Sequence, residues 1–466
     1  MKSHEKYVKL ISFGPLVALI GSLLIGSPQS FAENAESSPS EPLRLTVAPH
    51  TSSRIAMKAL PKAVCVLHVD GDLGNSHPLK LFSDDEGMIR FNVNPRAESD
   101  EVAAFAVDCT SDSESQRFGL ELRPNHSPSL DMPAPAADKR TPKASDFIRP
   151  ALTQGEVLQL SDEELAKREY PRRPNREQAP AAFATWLKAV TQPARRINPR
   201  QAAHPELGAS SNWELLTNWS GFELQAGPCS ECGPYDAVVG EWYVPQVRIS
   251  DNGLHTFSSF WIGLDGDGLS DLWQAGTEQD IKNYTWSIFS VDISTYDAWT
   301  ELVPVQPTSE VLPNFNVSPG DEMFSTVWVG NQDYAPTLSD EVYGIASVED
   351  ITQGEYAFVP QCLGDVVDGV CTINNQTVIL GQEAEWIMER PCTNCENSKR
   401  AYLDLADYGS TFMYDAYALQ TNGSWMNYNG SINQDIWMYN YSTGHLLSVP
   451  YVWNDSTIQY YWYNWQ

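Results

Sequence analysis

With 466 residues the chain has room for two or three domains, and an aromatic content of 11% supplies material for more than one core. A formal net charge of −30 makes nucleic acid a poor partner, since phosphates repel such a surface. The imbalance is local, because residues 210–466 hold only five basic residues (Arg248, Lys282, Arg390, Lys399 and Arg400) against 34 acidic ones, a self-repulsion that relaxes in acid.

In chain order, Lys2, Lys6 and Lys9 precede an apolar run from Leu10 to Ile25, and Ser30-Phe31-Ala32 offers small residues for cleavage. This is the pattern of a signal peptide over 1–32. The run is short for a membrane span and Pro15 interrupts it, so the mature chain is expected to be secreted, with no membrane partner. Export suits eight cysteines in an even set, read as disulfides. Cys65 and Cys109 are expected to pair. Cys229/Cys232 and Cys392/Cys395 form two Cys-x-x-Cys pairs that could hold zinc, but their wide separation and an oxidising compartment favour disulfides.

Residues 33–123 alternate as short strands, at Leu43 to Val47, Ala63 to Val69, Met88 to Val93, Val102 to Cys109 and Phe118 to Leu122. They predict a small β domain without a catalytic constellation. From 124 to 209 the composition turns to Pro, Ala and basic residues, a linker or propeptide. Ser161 followed by Glu164 is a capping box opening one short helix, and Pro180 to Leu187 reads as another. Lys167, Arg168, Arg172, Arg173, Arg176, Lys188, Arg195, Arg196 and Arg200 lie in or beside them. A basic segment before an acidic domain invites an electrostatic latch, a prosegment that covers an acidic cleft and leaves it in acid. The plain alternative is a solvated spacer.

Residues 210–466 read as strands throughout, at Ala237 to Val244, Thr256 to Leu264, Tyr284 to Val291, Glu322 to Val329 and Thr411 to Tyr417, which predicts an all-β sandwich of two antiparallel sheets. Within it, Trp261-Ile262-Gly263-Leu264-Asp265-Gly266-Asp267 places Trp261 and Asp265 on one strand face and Phe260, Ile262 and Leu264 on the other. Asp297, Trp299 and Glu301 share a face, as do Glu385 and Glu389, and Gln274 and Glu278. A floor of acids, amides and indoles is an unusual core.

These stretches resemble the glutamic peptidases, or eqolisins. That family's motifs are close to Trp-Val-Gly-Ile-Asp-Gly-Asp, Leu-Gln-Thr-Gly, Tyr-Asp-Ala-Trp-Tyr-Glu and Ala-Glu-Trp-Ile-Val-Glu-Asp. Here they stand in the same order as Trp261 to Asp267, Trp273 to Gly276 with Trp273 for Leu, Tyr296 to Glu301, and Ala384 to Glu389. Asn218-Trp219-Ser220-Gly221 is a flanking match. The resemblance implies a β-sandwich of two antiparallel sheets and an acid endopeptidase acting on polypeptides. It further implies Glu389, rather than Glu385, as general base and Gln274 as its amide partner, with Trp261, Asp265, Glu278, Trp299 and Glu301 shaping the substrate cleft. Arg390 departs from the family's acid, although alternation turns it away from the cleft.

Other chemistries find little support. Pepsin-type Asp-Thr-Gly pairs, His-Glu-x-x-His and Gly-x-Ser-x-Gly are all missing. Asp265-Gly266-Asp267-Gly268 with Asp271 looks like a calcium loop but has Leu269 where an oxygen ligand belongs. No metal or cofactor is expected. Two alternatives stay open: a glycoside hydrolase, which would need a second carboxylate where Gln274 stands, and a lectin-like binding protein, which would need neither Gln274 nor Glu389. The aromatic stretch from Trp425 onward suits either final strands or sugar stacking.

Overall fold

Strands make up most of the described residues between Ser53 and Trp462, interrupted by helices only within 154–190, because β-branched and aromatic residues alternate with polar ones and Gly, Asn and Asp end the runs. The computed structural model describes residues 30–31, 43–47, 53–69, 79–95, 103–111, 114–124, 148–197, 202–203, 218–227, 233–250, 255–267, 269–286, 289–306, 309–373, 378–393, 401–427, 432–440 and 443–463. They fall into two units, one made of Met1–Asp138, Gly253–Thr256 and Asp280–Thr295, the other of the remainder.

In the first unit, five strands pair in the order Leu43–Val47, Ser115–Pro124, Ala103–Thr110, Val64–Val69 and Leu79–Phe82. Cys65 and Cys109 lie directly opposite each other in this sheet and form the expected disulfide. Met88–Pro95 pairs with Ser53–Lys58 on one side and with residues 291–294 on the other. The inward rows share one core, with Ile55, Met57, Phe91, Val107, Leu120 and Ile293 fully covered. Ser30–Phe31, the expected cleavage region, pairs in parallel with Ile55 and Ala56; the rest of the signal peptide lies outside the described residues.

The second unit is the sandwich. Within this unit its first sheet runs 296–303, 272–279, 257–264, Glu383–Glu389, Trp219–Gln225 and Ile432–Ile436. Its second sheet includes Thr457–Trp462, Ser410–Gln420, Tyr235–Tyr243, Glu322–Gly330, Tyr343–Asp350 and Glu355–Cys362, in that order. The core between them is aromatic: the Phe260 ring meets those of Tyr460 and Trp242 edge-on at 4.9 and 6.1 Å. Two of its buried indoles are hydrogen-bonded, Trp386 Nε1 donating to Val239 O at 2.8 Å and Trp242 Nε1 to Thr277 Oγ1 at 3.0 Å. Trp273, the departure from the family motif, also faces this core. It fits because Gly344 opposes it, where a Cβ would stand only 3.1 Å from the indole.

One expectation needs correction here. Residues 284–291 do not form one strand; they join the end of Leu272–Trp286 to the start of Phe289–Val303, two 15-residue strands whose alternation continues through what looked like separate runs. The described part of the basic segment, 148–197, counts with the sandwich unit. Both predicted helices form, as Asp162–Lys167 with its Ser161/Glu164 capping box and Pro180–Val190 with proline at its first turn. A third, Gln154–Val157, uses Thr153 and Glu156 in the same way. Ala182, Phe183, Trp186, Ala189 and Val190 form a single buried stripe on the longest helix, at i, i+1, i+4, i+7 and i+8. Burying each of its large members is worth about 1.5–3 kcal/mol.

A second disulfide joins Cys362 to Cys371, whereas Cys229, Cys232 and Cys395 lie outside the described residues. Among the described residues, no helix is long and apolar enough to cross a membrane, and no group of three or more His, Cys, Asp and Glu is arranged to hold a metal ion.

Candidate active site

Strand register decides which acids meet. Glu389 lies between Trp219 on one neighbouring strand and Ser259 on the other, and Glu385, four residues earlier on the same face, lies between Glu223 and Gly263. Ile387 occupies the row between, opposite Trp261. Trp386 and Met388 face the sandwich core, as alternation requires.

Two glycines make the Trp261 position possible. A Cβ at Gly276 would lie 2.5 Å from the Trp261 Cβ, and one at Gly263 would lie 2.9 Å from its ring and 3.4 Å from the Gln274 Cβ. Thus the indole lies flat along the floor beside Gln274. The Trp219 ring meets it edge-on at 4.9 Å.

Glu389 is half-buried, while Trp261, Gln274 and Glu301 are buried. Trp261 Nε1 donates to its Oε2 at 2.9 Å and Asn218 Nδ2 to its Oε1 at 3.0 Å. Burial raises the Glu389 carboxyl above the ordinary range, and hydrogen bonds from Trp261, Trp219 and Asn218 hold that rise back. Across the floor, Gln274 Nε2 donates to Glu301 Oε2 at 2.7 Å, which fixes the plane of the amide. Its Oε1 has no hydrogen-bond partner among the described residues. Burial first, and then the charge of Glu389, push Glu301 up to about 8, so Glu301 is protonated in acid. The Trp261 indole thus has on one side a carboxyl with donors on both oxygens and beside its ring an amide clamped by a neutral acid. Such a set can take a proton from water and stabilise a developing oxyanion.

The Glu385 end is a different environment. Glu385 is wholly buried and, among the described residues, neither carboxyl oxygen has a hydrogen-bond partner. Burial, followed by the charges of Glu223, Glu383, Asp267 and Asp265, raises it far above the carboxylate range. Glu223 rises to about 9 and Glu383 to about 8, burial again being the main cause. Asp265 has a different task. At φ 61° it aims its carboxylate at the chain after Ile379, accepting backbone N–H groups of Leu380, Gly381, Gln382 and Glu383 at 2.5–3.4 Å. It pins the start of the Glu383–Glu389 strand.

Of the expected site residues, the fold thus joins Trp261 to Glu389 and Gln274 to Glu301, and places Asp265 among the acids around Glu385. Trp299 and Glu278 are buried on the strands that carry Glu301 and Gln274. Asn218 is the residue to which sequence reasoning assigned no role. Its signal was present, since it opens the flanking Asn218-Trp219-Ser220-Gly221 match, but only the cross-strand register brings it to Glu389. The guanidinium of Arg390 lies over the Tyr402 ring at 4.9 Å, and burial lowers its pKa to about 10.

A family model described as the Peptidase A4 family matches residues 217–460. Among solved structures, a crystal structure of scytalido-glutamic peptidase with a transition state analog inhibitor is 18% identical, with a TM-score of 0.39, and covers 53% of this chain and 98% of its own. SCP-B, described as a member of the eqolisin family of peptidases in a complex with the tripeptide Ala-Ile-His, is 17% identical with a TM-score of 0.37 over the same shares. No curated protein sequence matches.

Proposed function

We propose, for a chain that belongs to the Peptidase A4 family and is therefore a glutamic endopeptidase, that Glu389 and Gln274 are the catalytic pair and that peptide bonds are cut by one direct attack of water in acid. The observation that carries this reading is the pair of settings built on one floor: Glu389, partly exposed and bonded by Trp261 and Asn218, and the Gln274 amide clamped by Glu301.

In this mechanism Glu389 takes a proton from the attacking water and later gives it to the leaving amine. Gln274 orients that water and, through the N–H of its amide not engaged by Glu301, stabilises the oxyanion. An amide suits acid because its charge does not change with pH. Hydrogen bonds from Trp261 and Asn218 favour the ionised form of Glu389, the form that acts as base, against the burial that raises it. Glu301, neutral there, holds Gln274 without adding a competing charge. Asp265, Glu278 and Trp299 shape the cleft around polypeptide substrates.

The same reading takes the chain as a secreted proenzyme with 1–32 as signal peptide. The disulfides Cys65–Cys109 and Cys362–Cys371 support an oxidising compartment. The basic segment within 124–209 is the prosegment, joined to acids of the sandwich through Lys188 with Glu322, Arg195 with Glu355 and Arg149 with Glu349. A lectin or glycosidase reading is not favoured by a match to peptidases.

The test is cleavage of a denatured protein substrate from pH 2 to 7 by the purified chain, by Gln274→Ala and by Glu389→Gln. Peptide products in acid from the parent alone, with both variants folded, are expected. Variants that cut as well as the parent would remove the pair from the mechanism.

A further inference from the structure

The second sheet has two faces. One, with Val238, Trp242, Val327 and Val348, looks into the sandwich. The other presents Ala237, Val239, Phe324, Trp328, Ile345, Phe358, Tyr417 and Leu419, and in an isolated sandwich these would form an apolar patch too large for a soluble surface. They are all covered, and residues 148–197 take part in the same core with Val157, Leu165, Phe183, Trp186 and Val190. Residues 148–197 therefore lie on the side of the sandwich remote from the Glu389 floor, and the chain returns to the first sheet only at Ala202–Ala203, which pairs with Glu310–Val311.

Three further contacts bind it there. Arg149 is 1% exposed and makes a two-pronged pair with Glu349, Nη1 to Oε1 at 2.7 Å and Nη2 to Oε2 at 2.6 Å. Its guanidinium lies between the Tyr170 and Tyr356 rings, 4.6 and 4.2 Å from their centroids. Ala194–Arg196 pairs in parallel with Glu355–Cys362, and Ile148–Arg149 pairs with Ala194–Arg196 in turn, so the segment also closes an edge of the sheet. Backbone bonds from Arg195 N to Gly354 O and from Ile197 N to Tyr356 O, both 2.7 Å, secure that edge.

A latch that opens in acid relies on surface pairs, and this interface relies on a filled core, a buried bidentate pair and a shared sheet. We infer that residues 148–197 are a permanent third layer of the enzyme: when the chain is cut between this segment and the sandwich, the segment stays bound to the outer face and is not released. The inference rests on the proenzyme reading only for the existence of a natural cut, and an engineered cut removes that dependence.

The experiment uses the full chain with a recognition site for a specific protease substituted within residues 206–212. After cutting, gel filtration at pH 4 and pH 7 is followed by intact mass on each fraction. Co-elution of the piece carrying 148–197 with the piece carrying 218–466 at both pH values is expected, with amide exchange over 182–190 as slow after cutting as before. Segment recovered in a separate fraction at either pH, or exchange over 182–190 accelerated by 100-fold or more, would overturn the inference. Trp186→Asp in the cut chain supplies the contrast and is expected to release the segment. If that variant holds it as firmly as the parent, the apolar core is not what retains it. An inactive but co-eluting preparation would count against the catalytic reading and leave the third layer standing.

Discussion

Glu385 and Glu389 stand four residues apart on one face of one strand, and the fold treats them in opposite ways. Glu389 is half-open and receives donors from Trp261 and Asn218. Glu385 is sealed among Glu223, Glu383, Asp265 and Asp267 and receives none. Donors hold back the rise that burial causes in Glu389, whereas neighbouring acids add to it in Glu385. Identical side chains at equivalent parity thus become a candidate base at one end and a pH-sensitive structural element at the other.

The comparison breaks most directly by exchanging each acid for its neutral isostere. Glu389→Gln is expected to lower kcat/KM by about 10³-fold or more in acid, whereas Glu385→Gln leaves it within a few-fold, measured on one quenched peptide at pH 4. Equal losses in both would mean that the two ends are not functionally distinct.

Next comes the donor set. Trp261→Phe removes one hydrogen bond that stabilises ionised Glu389, and so raises its pKa further. Because the ionised form is the base, activity falls as pH drops through that pKa, and the acid limb of the rate profile should move to higher pH. A fall of about 10-fold at the optimum is expected. An unmoved acid limb would show that the indole does not tune Glu389.

The smallest effect concerns stability. Glu385, Glu223 and Glu383 hold protons in the folded chain where the unfolded chain, at an ordinary 4.5, has lost them. Their contribution is full below that value and drains as pH rises towards 8–9, by about 1.4 kcal/mol per pH unit for each fully shifted group. The melting temperature of the parent should therefore fall between pH 5 and 8. Glu385→Gln should flatten that slope and melt a few degrees higher at pH 8, read by calorimetry. A slope unchanged from the parent would mean that Glu385 is ionised in the fold.

Much of this was legible in the chain. Period-two alternation assigned Trp386 and Met388 to the core and Glu385 and Glu389 to the floor, because a strand leaves a side chain only two directions. Capping boxes announced helices, since Ser161 and Glu164 act within one turn. The 284–291 misreading arose because the end of one long strand and the start of the next resemble one short strand when only composition is read. The place of 148–197 was illegible for another reason: a basic, proline-containing stretch looks like a spacer until the apolar face it covers is known.

By itself, then, the sequence determined the sandwich, the disulfide Cys65–Cys109, the two-faced strands and the short set of acids and amides from which a peptidase site would be drawn, all of them properties that neighbours in sequence or ordered motifs carry. The family motif already singled out Glu389 over Glu385; only the tertiary structure gave the two their different surroundings, recruited Asn218 and set residues 148–197 on the outer face. Each of these depends on cross-strand register and on burial among residues distant in sequence, and a carboxyl group's proton affinity responds to those surroundings far more than to its own neighbours along the chain.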